Sequence, residues 1–299
     1  MRPCCENGIL FSAFEKDETK PTMLPRAYEA IKHTKSVLTH ERTYMRSGLH
    51  ICLSLFTNSF AWNKSGMAFS FSGLGVQNFF IENYVTPPPP HAPFPYKLWL
   101  LRIIAWKNTP FLNTLTLDID AVPCNRLSQI FLKLKPYGEH DIITSWAPNP
   151  YGGTNNYLKP ATGPWSSSEL HFYSNKLWRE RNLGAFAFVS NSPVMELLHT
   201  TEILWRLNGY TRKFYKHDQG AFREALFLVL KNPCVNINEF IADDREFCRE
   251  HRHLTCKDGC TIIHNHRSFE PNLNLTSNTI HGAVIRHGNS VCGTHAQIQ

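Results

Sequence analysis

The chain has 299 residues, 42% of them hydrophobic and 12% aromatic, which suits a globular protein with a sizeable core and excludes a disordered one. Its formal charge of +7, from 31 Lys and Arg against 24 Asp and Glu, favours anionic partners. The basic residues are scattered, however, with no run of five and no zinc-finger or RNP-type signature, so nucleic acid is not an expected partner.

No apolar stretch reaches the roughly 18–20 residues of a membrane span, and the opening "MRPCCENGILFSAFEKDE" lacks the apolar centre of a signal peptide. The chain reads as soluble, in the cytoplasm or, if a targeting segment is missing, in the Golgi lumen. Nine cysteines, an odd number, are too few for a disulfide scaffold of this length.

In chain order, "GILFSAF" (8–14) reads as a buried strand. "PRAYEAIKHTKSVLTH" (25–40) follows with Tyr28, Ile31 and Leu38 at helical spacing and Pro25 suited to a helix start. "LHICLSLFTN" (49–58) is a second strand, and this β-α-β beginning implies a parallel sheet. Residues 61–84 mix Gly, Ser and Phe and give only a short strand near 79–81. "TPPPPHAPFPYK" (86–97) is a stiff connection, and "YKLWLLRIIAWKNTP" (96–110) is a helix of about three turns ending before Pro110.

"PFLNTLTLDIDAVPCN" (110–125) is a short buried strand that ends in two carboxylates two residues apart, Asp118 and Asp120. A short helix (127–138) and a strand (140–148) come next. A loop over 149–168, rich in Gly, Pro and Asn, is long enough to suggest a lid. A strand (183–191) and two helices (192–209 and 218–233) complete one mixed α/β domain, 7–270, followed by a tail, 271–299. The later helix has Asp218 as an N-cap candidate.

Buried strands of α/β sheets end at the carboxyl edge, where ligands bind. Two crowded carboxylates there repel one another and are costly to desolvate, and a hard divalent cation such as Mg²⁺ or Mn²⁺ relieves both problems. The plain alternative is an Asx-type turn with Asp120 solvated.

The block 96–125 resembles the core of the nucleotide-diphospho-sugar transferases, glycosyltransferases of A-type fold with a DxD motif. It shares their basic helix, their "sPf" turn and their "tLyLDtDt.vc" strand. "RNLGAFAFVSNSP" resembles the family's donor-sugar strand, and "HDQGAFREAL" its "[ND]DQ-x-[AF]" helix start. Ile119 and Ala121 depart from its usual small or hydroxylated residues.

The resemblance implies a single Rossmann-like domain with a mixed, mainly parallel sheet and a metal-dependent transfer of sugar, with retention, to an acceptor hydroxyl. The donor is a nucleotide sugar, a UDP-sugar above all, and the acceptor a glycan or protein. Asp118 and Asp120 would hold Mn²⁺ or Mg²⁺, with Asp118 also facing the nucleotide. Lys97 would pair with the diphosphate, Asn182 and Gly184 would line the sugar, and Asp218 and Gln219 would act at the reacting centre.

A non-catalytic glycan- or partner-binding member of the same fold is the alternative; a zinc-stabilised nucleic-acid-binding protein is a third reading. The tail "FCREHRHLTCKDGCTIIHNHRS" stays open among three accounts. Cys248, Cys256, Cys260, His264 and His266 could ligate zinc, although the paired C-x2-C of common zinc modules is missing. The cysteines could instead form a disulfide in an oxidising compartment. The resemblance adds the third account, in which His264, directly after "TII", completes the catalytic metal site.

Overall fold

A computed structural model describes residues 5–44, 48–84, 93–146, 181–209, 217–242, 247–249, 256, 260–264 and 282–287. The loop expected over 149–168 lies outside these residues. The elements that position the candidate site belong to an eight-stranded sheet and a separate three-stranded one.

The larger sheet begins with β1 (Asn7–Ala13), β2 (Ile51–Thr57) and β3 (Val76–Phe80), all parallel. On the other side of β1 lie β4 (Asn113–Leu117), β7 (Arg181–Val189), β6 (Ile142–Trp146), β8 (Ile237–Ala242) and β11 (Gly282–His287), in that order. β4 is parallel to β1 and β6 to β8, while β7 runs antiparallel to both of its neighbours and β11 antiparallel to β8. The sheet is therefore mixed and mainly parallel, as expected. It also extends past residue 270, the expected end of the domain, because β11 pairs with β8 along its whole length.

Both faces of the sheet are covered, so its central strands read as unbroken apolar runs. On one face Leu10, Phe186 and Phe188 pack with α4 (Phe94–Lys107), α6 (Ser192–Asn208) and α7 (Asp218–Leu230). On the other, Ile9, Phe11 and Leu115 pack with α1 (Met23–Tyr44) and α5 (Leu127–Lys133). Pro25 lies in the first turn of α1, where its missing N–H costs nothing. The helix is capped from outside: the buried Glu15 carboxylate accepts from the N–H groups of Thr22, Met23 and Leu24.

Where only a short strand is expected over 61–84, the chain forms α2 (Ser59–Ser65), α3 (Ala68–Gly73) and β3. Helices of six and seven residues are too short to show a helical period. Gly66, at φ 66°, ends the first in the left-handed region.

The smaller sheet is formed by β5 (Val122–Pro123), β10 (Ile262–His264) and β9 (Phe247–Arg249). Its first strand begins two residues after Asp120. No helix among the described residues is long and apolar enough to cross a membrane.

Candidate active site

β4 delivers Asp118 to its own carboxyl end. The β4–β7 ladder continues one step beyond Leu117, with the Asp118 N–H donating to the Gly184 carbonyl at 2.8 Å. A turn follows, closed by the Ala121 N–H on the Asp118 carbonyl at 2.9 Å, and it leaves Asp118 half-buried and Asp120 exposed. Because β7 is antiparallel to β4, its amino end reaches the same edge. There the Asn182 side-chain oxygen accepts from the Gly184 N–H at 3.1 Å and shapes the bend beside Asp118.

α4 supplies the residue that joins these parts. The Arg102 guanidinium donates to the Leu183 carbonyl at 2.8 Å, pairs with the Asp118 carboxylate at 3.1 Å and approaches Asp218 Oδ2 at 3.6 Å. Trp99 and Trp106, three residues before it and four after, lie on its helix face with ring centres 4.8 and 5.1 Å from the guanidinium carbon. Its side chain is only 8% exposed. Burial works against its charge, but Asp118, Asp218 and Asp120 outweigh that effect and hold its pKa above the ordinary value.

Asp218 is the first residue of α7 rather than its N-cap, which is His217. Its Oδ2 has no hydrogen-bond partner, and 3.6 Å from Arg102 is an ion pair without a good hydrogen bond. Desolvation dominates and pushes its pKa from 3.8 up to about 6. Arg102 and the N–H groups of Gln219 and Asp218 pull it down, and the nearby Asp118 charge pushes it further up. Such a carboxyl changes charge near neutrality, as catalytic groups do. The His217 ring meets Trp99 edge-on at 5.6 Å, which ties the start of α7 to the aromatic frame around Arg102.

The structure thus brings Asp118, Asn182, Gly184 and Asp218 to one edge, with Gln219 half-buried in the next position of α7. Lys97 lies on α4 five residues before Arg102, and the cation set between Asp118 and Asp218 is Arg102. The signal for it was in the sequence: an Arg within a strongly apolar helix, with Trp at both helical neighbour positions.

His264 ends β10, which pairs antiparallel with β5, Ile263 opposite Val122. The cysteines of the tail are committed to disulfides, Cys124–Cys256 and Cys248–Cys260, so the zinc reading loses its three thiolates. A third disulfide, Cys5–Cys52, links the amino ends of β1 and β2, and Cys234 is disulfide-bonded as well. Disulfides therefore play a larger part than the cysteine count suggested. Among the described residues, the one group of three close metal-ligand atoms is Cys5, His50 and Cys52, whose two sulfurs are joined.

No family model matches the sequence, and a comparison with curated proteins finds no match. Solved structures are similar in fold. WbbM, a bifunctional glycosyltransferase, superposes with a TM-score of 0.52 and 12% identity, over 90% of this chain and 46% of that one. The galactosyltransferase LgtC, in complex with donor and acceptor sugar analogues, gives 0.49 and 13% over 86% of each chain. Mouse xyloside xylosyltransferase 1 gives 0.47 and 10% over 87% of this chain and 97% of that one. At these identities the likeness is one of fold alone, which the chain shares with WbbM.

Proposed function

We propose that this protein is a metal-dependent glycosyltransferase that moves a hexosyl or pentosyl group from a nucleotide sugar, a UDP-sugar above all, to a hydroxyl of a glycan or protein, with retention. The observation that carries the reading is the convergence on Arg102 of Asp118, the Leu183 carbonyl and Asp218, at the carboxyl edge of a sheet shared with glycosyltransferases.

The donor set fits Mn²⁺ or Mg²⁺. Asp118 and Asp120 offer hard carboxylate oxygens, one half-buried and one exposed, and His264 follows on the strand paired beside their turn. When bound, the cation would neutralise charge on the departing nucleoside diphosphate. The protein's own groups do the rest. Arg102 holds Asp118 in place and neutralises part of the acidic edge, Asn182 and Gly184 shape the sugar side, and Asp218 and Gln219 face the reacting centre. Lys97, near the start of α4, would meet the diphosphate. The disulfides require an oxidising compartment, which supports the lumen of the secretory pathway over the cytoplasm.

Titrating UDP into the protein with and without Mn²⁺ tests the reading. Binding is expected to need the cation and to be lost in Asp120→Asn with the fold intact. Equal UDP affinity in the variant, or affinity indifferent to Mn²⁺, would reject it.

A further inference from the structure

The smaller sheet is hard to explain by packing alone. Its strands have two, three and three residues, and sheets this small are marginal without a large apolar face. One face does pack: Ile262 and Phe247 join Ala121 and Leu117 in the core beneath the main sheet. The other face carries Val122, Ile263 and the four cysteines 124, 248, 256 and 260, all buried together.

The register shows what this covalent cluster holds. The Cys124 N–H donates to the Thr261 carbonyl at 2.8 Å, and Pro123 and Val122 stand opposite Ile262 and Ile263. One further step of the same register sets residue 264 opposite Ala121, the neighbour of Asp120. Cys124 follows this ladder directly on one side, and Cys260 precedes it on the other. His33 of α1 adds a contact from its Nε2 to the Pro123 carbonyl at 2.8 Å.

We propose that the disulfides Cys124–Cys256 and Cys248–Cys260 position the divalent-cation site by clamping residues 262–264 against the turn that carries Asp118 and Asp120. The proposal rests on the glycosyltransferase reading and adds to it. The four cysteines are positioning residues: Cys124–Cys256 joins the segment after the turn to the chain that leads into β10, and Cys248–Cys260 ties that chain to β9, so the short ladder beside the turn is not left to a small apolar contact and a few backbone hydrogen bonds. Residues behind the ligands of a metal site typically change its affinity about 10- to 100-fold.

The molecule contains its own control. Cys5–Cys52 also joins two chain segments, but at the amino ends of β1 and β2, the opposite edge from Asp118. Three double variants are compared with the wild type: Cys124→Ala/Cys256→Ala, Cys248→Ala/Cys260→Ala and Cys5→Ala/Cys52→Ala. Mn²⁺ affinity is read by calorimetry in the presence of UDP, and melting temperature is read alongside.

Both clamp variants are expected to bind Mn²⁺ at least tenfold more weakly, while the control loses melting temperature and keeps its Mn²⁺ affinity within twofold. If the first clamp variant does not fold, the second, which opens a link between positions only 12 apart, decides the matter. Wild-type affinity in the clamp variants, or an equal loss in the control, overturns the proposal. A wild-type protein that binds neither Mn²⁺ nor UDP overturns the glycosyltransferase reading itself, a different result from intact binding that is insensitive to the clamp.

Discussion

The two sheets of this protein are held together by different means. The eight-stranded sheet has an apolar layer on each face, and its central strand β7 is buried along its full length. Its order follows from area removed from water, and at its carboxyl edge the buried Arg102 joins Asp118, the Leu183 carbonyl and Asp218. The three-stranded sheet has little area to bury and is stapled by two disulfides. The difference shows where noncovalent packing suffices: long strands under helices hold themselves, and two- and three-residue strands next to a charged turn do not.

The comparison can be pressed hardest in the middle of the larger sheet. Phe186 is fully buried and meets the rings of Trp106, Phe188 and Phe222. Phe186→Ala is expected to lower the unfolding free energy by about 4 kcal/mol, mostly from lost burial and the cavity left behind. Urea denaturation measures it. A loss under about 1 kcal/mol would mean that packing is not what holds this sheet.

Next comes the carboxyl edge. Arg102→Met leaves Asp118 and Asp218 facing each other without their shared cation, at a cost of about 3 kcal/mol near pH 7, since breaking a buried pair strands a charge. Adding Asp218→Asn should recover part of that loss. If the double variant is no more stable than Arg102→Met, the two residues are not coupled.

Asp218 also gives the edge a pH signature. Its folded pKa of about 6 lies above the ordinary 3.8, so its contribution is complete below pH 3.8 and is lost as pH rises through about 6. That rise is worth roughly 3 kcal/mol as an upper figure. Wild-type stability minus that of Asp218→Asn should therefore fall between about pH 4 and 6, as followed by denaturation at a series of pH values. A difference that is flat over this range would contradict the desolvated state of the carboxyl.

The smallest effect is expected in the helix layer, where Glu202 of α6 meets Lys107 of α4. Burial tends to raise the Glu202 pKa, but hydrogen bonds from Lys107 and Arg206 outweigh it and hold the group below its ordinary value. Its contribution is present above the ordinary pKa and is lost as pH falls, the opposite slope to Asp218. Glu202→Gln should cost no more than about 1 kcal/mol. A larger loss in a melting experiment would place part of the stability of the larger sheet in this ion-paired cluster.

The same contrast explains what could be read from the sequence. β1, β2, β4, β7 and the long helices announce themselves because apolar runs and helical spacing extend over many residues. Asp118, Asn182, Gly184 and Asp218 were recognisable by the short motifs around them, and the fold brings them to one edge. Arg102 is less legible because the basic residue that the family pattern marks, Lys97, stands at the start of the helix, whereas the signal for Arg102 is the Trp99–Arg102–Trp106 spacing. The smaller sheet has no period to read. Its strands are too short, and Val122 finds Ile263 from far along the chain, a pairing no local pattern encodes. β11 was missed for a related reason: six residues, "GAVIRH", add to an edge whose partner lies some forty positions earlier.

One link has a consequence for how the chain is made. Cys124 must wait for Cys256, 132 positions later, whereas Cys5 and Cys52 are only 47 apart. At about 5–20 residues per second of translation, Cys124 leaves the ribosome roughly 7–26 s before its partner exists. Throughout that interval it is a thiol able to attack the bridge already formed behind it. Early closure of Cys5–Cys52 removes the two nearest upstream thiols as direct oxidation partners, so that mispairing of Cys124 with either of them requires exchange with the closed bridge.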